Sequence, residues 1–161
     1  MTEPSTFARL CARLDHAMFI VTAREGAQRD GCLVGFATQC SIDPPRFLAC
    51  LSVRNRTWRL ARASDAVLVH AVPADAPDLA RLFGGQTGDE VDKLARCAWR
   101  DRPGGLPLLD RATSWFAGRI LERIPLGDHV GVLLEPFAVN DGGELALSSR
   151  RLGHVEPGHA P

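Results

Sequence analysis

Apolar positions recur along this chain with two different periods. Near the start, Phe7, Leu10, Cys11 and Leu14 fall at i, i+3, i+4 and i+7, one face of a helix, with Ser5 placed to cap it. After Asp15-His16 that spacing stops and short apolar runs begin. They predict strands over residues 17–23, 32–42, 46–53 and 66–72. Gln28-Arg-Asp-Gly31 reads as the hairpin turn between the first two, because Asp-Gly tolerates positive φ. Pro44-Pro45 stops the second, because proline gives a ladder no donor. Two short helices are predicted over 58–63 and 75–83, the latter with Leu79, Leu82 and Phe83 as its apolar face. Residues 84–88 read as a flexible loop, 89–99 as helical and then irregular, and 103–107 as a loop. Long strands over 112–124 and 129–139 flank Pro125-Leu-Gly-Asp128. Asp141-Gly-Gly143 and residues 144–147 suggest one more hairpin and a last strand, and a tail over 153–161 is expected to be loose.

Six or seven strands joined mostly by short turns do not alternate regularly with helices, which argues against a doubly wound parallel sheet. A mainly β domain over 1–152, closed or partly closed as an antiparallel barrel with inserted helices, fits better, because closure removes edge strands. The length of 161 residues suits one such domain, able to bury about 70% of its unfolded surface.

Composition narrows the function. At 45% hydrophobic and 24% charged residues, the chain is a folded globular domain rather than a disordered one. Lys plus Arg and Asp plus Glu are 19 each, and this balance argues against a large phosphate-neutralising surface and a nucleic-acid partner. Any positive charge aimed at a phosphate must be local, which draws attention to Arg54 and to Lys93, the single lysine. No apolar run approaches the roughly 20 residues that span a bilayer, and the first residues do not resemble a signal peptide, so no membrane partner is expected. Five cysteines without a C-x-x-C pair are expected to be free thiols in a reducing cytoplasm.

Several chemistries lack their motif. There is no G-x-S-x-G, no phosphate loop ending in Gly-Lys-Ser/Thr and no G-x-G-x-x-G after a strand. Among the histidines only His154 and His159 have a spacing that could suit a metal, and they lie in the tail, so no metal is expected. The informative stretch is 31–45, followed by the strand 46–53 and Asn55-Arg-Thr57. A strand of small and hydroxyl residues lets a flat ring approach its backbone, whose N–H and C=O groups can bond a planar heterocycle. A helix start with Asn, Arg and Thr offers N–H groups and a guanidinium to an anion. A flat polar ring with a phosphate tail describes a flavin mononucleotide. The same residues also suit a close-packing strand and an ordinary helix cap.

Longer motifs favour the first reading. Ala37-Thr-Gln-Cys-Ser-Ile-Asp-Pro-Pro45 resembles the S-F-x-S-V-S-x-D-P-P signature of the flavin reductase-like, FMN-binding split-barrel family. Met18-Phe-Ile-Val-Thr22, Asp92-Lys93 before Trp99, and Gly127-Asp-His129 leading into an apolar strand are similar to further family elements in the same order. The resemblance implies an antiparallel Greek-key split barrel, FMN or FAD as flavin, NADH or NADPH as hydride donor, a homodimer, and in some members a monooxygenase that takes the reduced flavin. It implies that Phe36, Ala37, Thr38 and Gln39 line the ring edge through their backbone. Gln39, Cys40 and Ser41 would contact the ribityl chain or ring, and Arg54, Asn55 and Thr57 the phosphate. Lys93 reads equally as a phosphate contact and as a solvated helix lysine. Arg150 matches a family arginine, and His129 the residue beside the nicotinamide or flavin ring. Two other readings stay open: a flavin- or deazaflavin-binding oxidoreductase with a dedicated substrate, and a non-catalytic flavin-binding dimer.

Overall fold

A computed structural model describes residues 5–102 and 104–159. After a short helix α1 (Thr6–Cys11), capped by the Ser5 hydroxyl accepting from the Ala8 N–H, come β1 (Phe19–Glu25), β2 (Gln28–Val34), β3 (Ala37–Ser41) and β4 (Arg46–Ser52). Helix α2 (Arg56–Ala61), β5 (Ala66–Ala71), helix α3 (Pro77–Gly85) and a 3₁₀ turn (Lys93–Arg96) follow. A small ribbon of β6 (Trp99–Arg102) and β7 (Leu106–Leu109) then leads to β8 (Trp115–Pro125), β9 (His129–Asn140) and a last helical turn α4 (Ser149–Leu152). Seven strands form one antiparallel sheet in the order β2-β1-β5-β8-β9-β4-β3. The non-sequential neighbours β1–β5 and β4–β9 are the crossovers of a Greek key.

The sheet is rolled. Val21 and Ala23 of β1, Cys32 and Val34 of β2, Ala49 and Leu51 of β4, Val67 and Val69 of β5, and Val132 and Leu134 of β9 share one buried cluster with Leu60 and Ala61 of α2. Strands far apart in the sheet meet there, as they do inside a barrel. The ladder runs from β2 to β3 and does not join those two ends, so the barrel is split. Strand alternation places the next residue on the other face. Ile20 thus joins a second cluster with Leu79, Ala80 and Phe83 of α3.

The structure moves several predicted boundaries. The first hairpin turns at Gly26-Ala27, with Gly26 at φ 59°, not at 28–31, which lie inside β2. Residues 32–42 are not one strand, because the chain breaks at Gly35-Phe36 before β3. Gly84 and Gly85 belong to α3 rather than to a loop, and Pro107 lies in β7 rather than in one. Pro103 lies outside the described residues. Residues 144–147 form no strand, only an isolated bridge between Pro73 and Ala146. The tail after Gly153 is packed as far as it is described, with Val155 against the α3 cluster.

Candidate functional site

The break at Gly35-Phe36 sets up the site. A Cβ on Gly35 would lie 2.9 Å from the His16 ring, so the glycine gives that ring room to pack against the turn. The turn leaves Phe36 61% exposed. On the other side of the barrel mouth, β9 begins at His129, paired with Ser52 of β4. The two aromatic rings lie 5.1 Å apart at 53°. They open onto a cavity of about 470 Å3 whose lining also includes Cys50, Asn55, Gln86 and Val155.

His129 is held by its neighbour. Its Nδ1 lies 2.7 Å from Asp128 Oδ1, and this bond keeps the Asp128 carboxyl below the usual carboxylate range. The partner of Nδ1 fixes the ring, leaving Nε2 as its other polar atom. Asn55 caps α2, accepting the Thr57 N–H on its own Oδ1 at 3.0 Å. Its amide NH₂ makes no recorded hydrogen bond among the described residues, so it is a donor available to the cavity it lines. Strand β3 is the sheet edge, with only β4 as ladder partner, so a row of its backbone groups is unpaired in the sheet. Thr38, Gln39 and Cys40 are exposed on it, and a register shift between Gln39 and Ser41 frees Cys40 from the ladder. A free strand edge, an apolar-walled cavity, the paired rings of Phe36 and His129 and one amide donor fit a planar heterocycle with a polar tail.

Of the predicted residues, Phe36, Asn55 and His129 meet in the cavity. Ala37, Thr38, Gln39, Cys40 and Ser41 flank it on β3, and Arg54 is exposed beside Asn55. Arg150 does not line the cavity but sits on α4 next to Ser149, which does, and its Nη2 donates to the Arg13 carbonyl at 3.2 Å. Two residues are placed differently from their predicted roles. The Thr57 hydroxyl is buried and donates to Asp30 Oδ2 at 3.1 Å. Lys93 is 1% exposed, neither a surface lysine nor one that reaches a phosphate: its Nζ lies 3.4 Å from Asp30 Oδ1 and 5.7 Å from the Phe83 ring centre. A buried carboxylate needs a partner, and Lys93 supplies it. Burial pushes the Cys32 thiol beside this pair up to about 12, against the pull of Lys93, and burial also raises Cys50. Neither cavity thiol is poised as a nucleophile. Sequence reasoning missed His16, Gln86 and Val155, which reach the cavity from segments without a motif. Among the described residues no cluster of three or more His, Cys, Asp or Glu could hold a metal.

Solved structures share this architecture. The NADH:FAD oxidoreductase SgcE6 of Streptomyces globisporus C-1027 matches with a TM-score of 0.81 at 20% identity, over 92% of this chain and 90% of its own. A nitrilotriacetate monooxygenase component B homologue from Mycobacterium thermoresistibile matches with a TM-score of 0.76 at 23% identity, over 84% of this chain and 74% of its own. The fold is thus the split barrel of the flavin reductases. In sequence, the FMN reductase (NADH) RutF of Cronobacter sakazakii is 30% identical over 129 residues, 80% of this chain and 77% of that protein. The flavin reductase like domain model matches residues 11–155. The chain belongs to that family.

Proposed function

We propose that this protein is an NADH-dependent flavin reductase, working on FMN or FAD in the Phe36–His129 cavity. The observation that carries the reading is the pairing of the exposed Phe36 ring with the half-buried His129 ring over a cavity beside an unpaired strand edge, in a chain of this family. The flavin supplies the two-electron chemistry when bound. The chain's part is binding, orientation and exclusion of water. The backbone of Phe36, Ala37, Thr38 and Gln39 lines the ring edge. Gln39, Cys40 and Ser41 lie along the ribityl chain. Arg54 and Asn55 hold the phosphate, and Arg150 stands outside the cavity as a neighbouring cation. The buried Thr57 hydroxyl is committed to Asp30 and acts only through the cap. His129, steadied by Asp128, stands beside the reacting rings and orients them. Hydride transfer needs no strong acid or base, so positioning carries most of the gain.

Leu121 and Ile124 of β8 and Phe137 and Val139 of β9 are exposed, and these apolar side chains on the β8–β9 hairpin support contact with a second copy. Five free thiols support a reducing cytoplasm, and no described helix is long and apolar enough to cross a membrane. The component B relative supports a monooxygenase as consumer of the reduced flavin. The test is anaerobic. FMN fluorescence is quenched on adding protein, and NADH then bleaches the flavin. FMN that neither binds nor bleaches sinks the proposal. His129→Ala lowers the bleaching rate at least tenfold and leaves FMN binding within about threefold.

A further inference from the structure

A second groove opens beside the cavity, between α1, the Asp15-His16 segment and α4. It has a volume of about 410 Å3, and its lining includes Arg13, His16, Ser149, Arg150 and His154. His16, Ser149 and Gly153 also line the main cavity, so the two spaces share a wall.

The charge of this groove is one-sided. Arg13 and Arg150 bring two permanent cations to it. No acid lines the groove itself, although Asp15 stays ionised behind it. Asp15 Oδ1 accepts the Arg150 N–H at 2.9 Å and the Ser149 hydroxyl at 3.1 Å, and these bonds hold its carboxyl below the usual range. Glu156 lies 3.2 Å from His154 Nε2. Arg150 is braced on the Arg13 carbonyl, which ties α4 to α1. The Arg13 guanidinium makes no hydrogen bond or ion pair among the described residues. In a chain of zero net charge, two arginines at the rim of a ligand-sized groove form a local anion site.

We propose that this groove is a subsite for the pyrophosphate-bearing adenosine tail of a dinucleotide whose reactive ring occupies the main cavity. It rests on the reductase reading, which puts such a ring there. Guanidinium forks match phosphate oxygens in pairs, and Arg13 is free to turn onto them. The adenosine diphosphate moiety belongs to NADH and to FAD alike, and the experiment separates the two.

Calorimetric titration of ADP into wild type, Arg13→Lys and Arg13→Glu reads the subsite without turnover. ADP binds wild type and the lysine variant, and its affinity falls at least tenfold in Arg13→Glu. Steady-state kinetics then compare NADH with reduced nicotinamide mononucleotide, and FAD with FMN. In Arg13→Glu the KM of the ligand that carries the tail rises about tenfold, while its mononucleotide counterpart moves less than twofold. A rise confined to NADH assigns the tail to the donor, and one confined to FAD to the acceptor. Absence of ADP binding in a protein that oxidises NADH, or an equal rise for dinucleotide and mononucleotide, overturns the subsite. Failure to oxidise NADH with any flavin overturns the reductase reading instead, and ADP binding tells the two failures apart.

Discussion

At the scale of single residues, two buried charge-bearing groups hold the fold. His70 is fully buried, with Nδ1 2.9 Å from the Ile20 carbonyl and Nε2 3.2 Å from the Leu109 N–H. The Leu109 N–H must donate to Nε2, so the ring is neutral, with its proton on Nδ1 directed at Ile20. Burial drives its pKa down to about 4, against a smaller upward pull from the Ile20 bond. An unfolded histidine titrates near its ordinary value of about 6.5. Between those values the unfolded chain binds the extra proton, so stability falls as pH drops through that window, by about 3 kcal/mol in all. Urea midpoints measured from pH 7 to 4 will show this slope. His70→Gln, which can still accept from Leu109 and donate to Ile20, will flatten it. Lys93 is the second case. Lys93→Met leaves Asp30 buried and unpaired, and will cost about 3–5 kcal/mol in urea unfolding. Asp30→Asn combined with Lys93→Met will recover much of that loss. An unchanged single variant would mean that the pair contributes nothing. Nothing in a sequence joins Asp30 to Lys93, so the lone lysine read as a surface cation. Asn55 and His129 were legible because their neighbours in sequence, Thr57 and Asp128, are also their partners in space.

At the scale of elements, strands such as β1 and β5 were readable because they are buried along nearly their whole length and so appear as short continuous apolar runs. The turns were less so. Asp30-Gly31 looks like a hairpin turn, yet a Cβ on Gly31 would meet the Phe83 ring at 2.8 Å. That glycine serves close packing against α3, and the turn falls to Gly26. The tail was misread because a Pro-, Gly- and His-rich stretch is normally loose. Here a Cβ on Gly158 would lie 2.5 Å from the backbone of Gln86 and Thr87, so the tail's backbone is seated directly on the chain after α3. Gly158→Val will unseat it. Limited proteolysis will cut after Leu152 faster in that variant, with the thermal midpoint nearly unchanged. Equal cutting rates would show that the tail is not held there.

The molecule as a whole is a rolled sheet whose proposed site lies at its split side. The barrel interior holds the strands in place, and the end of β2, the Gly35-Phe36 turn, the end of β4 and the start of β9 line a ring-sized opening. The exposed apolar residues of β8 and β9 are where the proposed second copy would pack. Light scattering will give twice the 17.4 kDa chain mass, and Phe137→Glu with Val139→Glu will shift it toward one chain. A wild-type monomer would overturn the proposed contact with a second copy. The central claim is that this opening passes a hydride from NADH to flavin. NADH consumption by the purified protein, followed with FMN omitted and then added to the same sample, tests it most directly. Consumption is predicted to be negligible before FMN and rapid after it, and to fall at least tenfold in His129→Ala. Consumption that is the same with and without FMN or FAD would contradict it.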